Sequence, residues 1–125
     1  DELKAAKLKL KNLQEIIKEL KKDEVIDSEE HLERIGSGAW DIGRLVFVAR
    51  MCFDAGFISE KVAWRYIEQA EKIARSKYAN WRDYDSSYVV GRSLWSGEDL
   101  AYVGIVDITK ELLNDAESPW VNLRW

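Results

Sequence analysis

Two stretches of the chain share one spelling. Trp40-Asp41-Ile42-Gly43-Arg44 and Tyr88-Val89-Val90-Gly91-Arg92 both read aromatic-x-x-Gly-Arg. A glycine inside a helix costs about 1 kcal/mol against alanine, and the close approach of another backbone is a usual reason to keep one. An arginine beside it on a buried helix needs a carboxylate or carbonyl partner. The pair predicts two closely packed helices joined by a polar network of Asp41, Arg44 and Arg92. Three chemistries are open to such a network. Paired charges could simply fix how the helices lie, which is the favoured reading. Arg44 and Arg92 could meet in a small pocket for an anion or a partner's carboxylate. Catalysis could run through Asp41 or Asp99. Asp41 and Arg44 are three apart and Arg50 and Asp54 four apart, so both can pair along one helix, on nearly opposite faces.

Other reactive side chains are scattered. His31, the only histidine, sits among Glu29, Glu30 and Glu33 and is expected on a solvated surface. Cys52, the only cysteine, lies in an apolar stretch and reads as a small core residue. Together they make neither a thiol-nucleophile site nor a metal-ligand set. A glycine-rich phosphate loop, a nucleophile elbow and an HExxH motif are all missing. Asp83, Asp85, Glu98 and Asp99 could gather around a divalent cation, but two of them fit better as helix caps. The expectation is therefore no catalytic residue, no metal and no cofactor. Trp40, Trp64, Trp81, Tyr84, Tyr88, Trp95 and Trp120 read as core with polar tips bonded at its boundary, in preference to a ligand-stacking wall. Exposed tryptophan would instead mark a binding surface, and Trp120 and Trp125 are the candidates for partner binding.

A chain of 125 residues with six tryptophans can build one real core. Its net charge of -4 gives no general attraction to nucleic acid or anionic membrane. The lysines of the first helix are nearly cancelled by Asp1, Glu2, Glu15, Glu19, Asp23 and Glu24. The longest apolar run, Leu45 to Ala49, is far short of a membrane span, and no signal-peptide core opens the chain. A lone cysteine fits a reducing compartment, and a cytoplasmic location is expected. The chain opens on Asp1, not methionine, as a piece of a longer protein would, and a preceding segment could hold an activity.

The elements that must position these residues are helices. Proline occurs once, at Pro119, and β-branched runs are scarce. Leu3, Ala6, Leu10, Leu13, Ile17 and Leu20 form a heptad seam on a helix over 3–22, which needs the domain or a second chain as its partner. Asp27 and Glu30 have capping-box spacing for a short helix ending near Gly36. Ser37 is placed to cap a helix over Ala39–Ala55, apolar nearly all round and so expected at the centre, ended by Gly56. Ser59 caps the next helix. Asn80 with Asp83, and Ser96 with Asp99, start two more, the last reaching about Leu113. The tail from Ser118 to Trp125 is expected to be extended and folded back. The result is an all-α, compact single-domain bundle of about five helices with a buried central helix. It divides into an amphipathic helix over 1–24 and a core over 37–125.

Ala39-Trp40-Asp41-Ile42-Gly43-Arg44, Arg50, Ala55-Gly56-Phe57-Ile58-Ser59 and Ala63-Trp64 resemble the bacterial domain-of-unknown-function family 1266. The resemblance continues through Tyr78-Ala79-Asn80-Trp81, Tyr84, Ser87-Tyr88, Gly91-Arg92, Ser118-Pro119-Trp120, Leu123 and Trp125, covering about Ala39 to Trp125. It implies a small helical domain of bacterial, cytoplasmic proteins and carries no catalytic residues. The function expected is a non-enzymatic protein-interaction or regulatory domain, with neutralisation of a toxin as one form. The alternative is an enzyme or small-anion binder using an Arg44/Arg92 pocket. A protein partner is expected, without nucleic acid or membrane, and a homodimer through the first helix is an option.

Overall fold

The computed structural model describes residues 1–96 and 99–125, except the side chains of Lys9, Ser96 and residues 99–103. Helices account for all regular structure among the described residues. In chain order they are α1 (Glu2–Lys22), α2 (Glu29–Ile35), α3 (Gly38–Asp54), α4 (Glu60–Lys77), α5 (Trp81–Ser96), α6 (Asp99–Asn114) and α7 (Pro119–Asn122). Five are long, and α2 and α7 are single short pieces.

Side-chain oxygens satisfy the orphan amides at several helix starts. Asp1 caps α1, and Ser59 accepts from the Val62 amide at the start of α4. At α2 the cap is Ser28, which accepts from the His31 amide, and not the expected Asp27. Asn80 Oδ1 accepts from the Asp83 amide at 2.8 Å, as the spacing predicts. Ser37 is the residue before α3 but makes no side-chain cap bond. Gly56, at φ 79°, closes the end of α3 in a conformation that a side chain would strain. The Ser96–Asp99 cap lies outside the described side chains. The tail is not fully extended: Ser118 caps a short turn of helix with Pro119 in its first position, where a missing amide costs nothing.

Helix α5 is the hub, packing against α1, α2, α3 and α6. Its buried residues include Asp83, Asp85, Ser86, Ser87, Val89, Val90 and Ser93. This corrects the expectation that the helix over 39–55 is the buried centre. Helix α3 packs between α4 and α5 through Ala39, Ile42 and Ala49, but Phe47, Val48, Met51 and Phe53 face outward. Apolar composition pointed to α3, whereas the buried helix carries serines whose hydroxyls are bonded inside the fold. Ser87 Oγ accepts from the Ala39 amide at 3.2 Å and shares a hydrogen bond with Tyr78 Oη at 2.8 Å. Ser93 Oγ donates to the Val89 carbonyl. The seam of α1 is divided: Leu20 is buried and Leu13 and Ile17 half-buried, while Leu3 and Leu10 are exposed.

Candidate functional site

The two Gly-Arg stretches meet where α3 and α5 cross, and each glycine receives the aromatic side of the other copy. A methyl group on Gly43 would lie 2.7 Å from Tyr88 Cε2. One on Gly91 would lie 2.5 Å from both Trp40 Cβ and the Ser37 carbonyl oxygen. Trp40 and Tyr88 then touch edge to face, with centroids 5.2 Å apart. Both glycines thus sit at close helix contacts, as their cost in a helix predicts.

The arginines that follow them reach the same indole pair. Arg44 Cζ lies 5.5 Å from the Trp40 ring and 5.9 Å from Trp95. Arg92 Cζ lies 5.0 Å and 5.1 Å from the same two rings. The indoles are 5.9 Å apart. The expected burial of both guanidiniums is corrected, since the Arg44 side chain is 45% exposed and Arg92 half-buried. Both flat guanidinium groups also lie against indole faces, where cation–π attraction stabilises them. Asp41 pairs with Arg44 as its spacing predicts, and that pair is exposed. Arg50 and Asp54, both exposed, form no ion pair among the described residues. The indole Nε1 of Trp40 is buried without an acceptor.

His31 is not on a solvated surface but 8% exposed. Its Nδ1 accepts from the Asp27 amide at 3.1 Å, so the neutral ring carries its proton on Nε2. That nitrogen lies 3.4 Å from Asp83 Oδ1, close but outside hydrogen-bond alignment. Asp83 takes a bidentate pair from Arg34, at 2.7 and 3.1 Å. The Arg34 hydrogen bonds hold its carboxyl below the usual range, against a smaller opposing effect of burial. With its basic nitrogen occupied, His31 acts as a tie between the α1–α2 turn and α5. Asp85 is 6% exposed, and burial pushes its carboxyl up to about 6, only partly offset by Thr109 and Arg82. No group of three acidic, histidine or cysteine ligands exists among the described residues. Glu98 and the Asp99 side chain, named as cation or catalytic candidates, lie outside them. Cys52 is half-buried.

Trp120 and Trp125 fold back onto the domain, as expected of the tail. Trp120 stacks on Trp81 at 5.2 Å, and Trp125 meets Trp81 edge to face at 4.9 Å. Trp125 Nε1 donates to the Tyr78 carbonyl, and Trp81 Nε1 to that of Leu123. The more exposed aromatics are others. Trp95 is 63% and Phe57 82% exposed. Along α3, Arg44, Phe47, Val48 and Met51 lie within single helical turns of one another and are all exposed. Sequence reading missed this face. The signal was present in an apolar helix interrupted by Arg44, Arg50 and Asp54, a mixture that an enclosed helix would not carry.

A family model described as a protein of unknown function (DUF1266) matches residues 1–125. The chain belongs to the DUF1266 family. The match takes in α1 as well as the 39–125 stretch on which the resemblance was drawn, so the amino-terminal helix is part of the family's domain. Neither a curated protein nor a solved structure matches this DUF1266 chain. No helix of the described residues is long and apolar enough to cross a membrane.

Proposed function

We propose that this chain is a non-enzymatic protein-interaction domain of bacterial, cytoplasmic proteins that binds through the outward face of α3 and the neighbouring Trp95. The observation that carries this reading is the exposed row Arg44, Phe47, Val48 and Met51, which Trp95 joins through its contact with Arg44. Tryptophan, arginine, phenylalanine and methionine are the residues enriched where proteins bind one another. A partner suited to this face has an apolar centre against Phe47, Val48 and Met51, with a carboxylate at its edge beside the exposed Arg44. A regulator or toxin neutraliser would use such a face to cover an active surface.

A photo-crosslinking residue at position 48, in the native host, tests this. It should form one defined protein adduct that Trp95→Ala or Arg44→Glu removes, while position 72 on α4 forms none. The same adducts from both positions would rule the reading out. The exposed Leu3 and Leu10 of α1 support a second copy as a further partner. In that case Leu10→Glu turns a sedimenting dimer into a monomer.

A second reading, binding of a small anion, is favoured by Trp40 Nε1. This buried donor lacks an acceptor, and two guanidiniums lie against its ring. A buried N–H without an acceptor suits one oxygen of a carboxylate or phosphate. Thermal melting with a panel of such anions tests it, because a true ligand raises the midpoint with occupancy.

A further inference from the structure

On the opposite side of α3 from the exposed row, Ile42 and Val46 turn inward onto a cavity of about 310 Å³ between α3, α4, α5 and the tail. We propose that this cavity is a binding site for a small, net-neutral, flat ring compound that carries a hydrogen-bond donor beside an acceptor, such as a heteroaromatic ring with a cyclic-amide edge. The proposal does not rest on the interaction face, whose side chains point elsewhere.

Size sets the first limit. A dry apolar cavity of about 150 Å³ already holds benzene, and ligand sites begin at about 300 Å³. This space therefore suits a fused pair of rings. One wall is aromatic, formed by Trp81, Tyr84, Trp120 and Trp125. The opposite side is kept open by Ala70 and Ala74, one turn apart on α4, where longer side chains would fill the space.

The polar groups set the second limit. The indole N–H groups of Trp81 and Trp125 are used on the Leu123 and Tyr78 carbonyls, at 2.9 and 2.8 Å. These two rings offer only faces and carbon edges to a ligand, and so contribute by stacking. Charge is confined to Glu71 and Arg75, which line the cavity with side chains 58% and 50% exposed, and so form its rim. Arg75 Nε donates to Glu71 Oε1 at 2.8 Å. Such a pair is neutral overall and presents an acceptor next to a donor. It is matched by an N–H beside a C=O, whereas a charged ligand gains no net attraction from a neutral pair to offset its own desolvation.

Titration of the full chain with 2-quinolone, followed by tryptophan fluorescence and calorimetry, tests the proposal. Naphthalene serves as the same shape without a polar edge, and 2-naphthoate as the same shape with a charge. Saturable one-to-one binding of 2-quinolone, tighter than either comparator, is expected. Ala74→Leu should weaken both 2-quinolone and naphthalene by about tenfold or more, the effect of losing one good contact region. Arg75→Gln should bring 2-quinolone down to the naphthalene value and leave naphthalene unchanged. Ile67→Trp, from a half-buried lining position, replaces Ala74→Leu if that variant fails to melt cooperatively. No saturable binding, equal binding of 2-quinolone and naphthalene, or undiminished binding by the filled variants would overturn the assignment.

Discussion

Gly91 lies directly against Trp40, so close that a methyl group in its place would sit 2.5 Å from the tryptophan Cβ. The same methyl would meet the Ser37 carbonyl oxygen at 2.5 Å, and a backbone atom cannot swing away as a ring can. Gly91→Ala should therefore destabilise the fold by about 1–3 kcal/mol, even after the gain in helix propensity. At Gly43 the obstacle is the Tyr88 ring edge, so Gly43→Ala should cost less. Urea unfolding of both variants checks the order, and a Gly91→Ala protein as stable as wild type would remove the packing explanation for the repeated glycines.

The buried Ser87 hydroxyl ties α5 to two other parts of the core, bonded to the Ala39 amide and to Tyr78. Ser87→Ala strands a buried backbone donor and leaves the Tyr78 hydroxyl without its partner. The expected loss is about 1–3 kcal/mol. Denaturant midpoints with an unchanged slope would show that the effect lies in stability alone.

Asp85 and Asp83 should bend the pH profile of stability in opposite senses. The folded Asp85 keeps its proton up to about 6, whereas the unfolded chain releases it near 3.8. The folded state then binds more protons between those values, so the contribution of Asp85 is fully present below the lower one and lost as pH rises through the upper. Asp85→Asn should raise stability near neutral pH by about 1–3 kcal/mol and flatten that slope. Thermal melts from acid to neutral pH measure it, and an Asn variant with the wild-type profile would contradict it.

Asp83 works the other way. Its folded carboxyl is held low by the Arg34 hydrogen bonds, so its contribution is present above the ordinary carboxylate range. That contribution is lost as pH falls through the folded value. Asp83→Asn should shrink the acid-side loss, in melts of the same series. Full retention of the acid limb in that variant would assign the loss to other groups.

The helical architecture was legible because apolar spacing, serine and asparagine caps and Gly56 all pointed the same way. The glycine contacts were legible for the same reason, since a residue with a cost marks its own position. Burial was less so. His31 looked solvated among glutamates, but its ring turns inward because the Asp27 amide and Asp83 receive it there. No local pattern encodes a contact made across the fold by Asp83, which lies on a different helix. The pairing of Arg44 with Asp41 was legible in their spacing, but the aromatic contacts of the arginines were not, because Trp95, one turn beyond Gly91, supplies an aromatic face to both. Composition likewise hid the central place of α5, whose serines count as polar although their hydroxyls bond inside the helix cluster.

The reciprocal seating of the two repeated stretches has one more consequence. The notch at Gly43 is cut for the Tyr88 ring, and that at Gly91 for the Ser37 carbonyl and the first side-chain carbon of Trp40, so each copy is fitted to the opposite rod. Neither glycine has a side chain left to give up, so growth at position 43 must move the Tyr88 ring and growth at position 91 must move the Ser37 backbone. Since a cation follows each notch by a single residue, any register in which the rods interlock must also deliver both positive charges to one indole pair. Mechanical fit and charge placement are thus inherited together, as one unit.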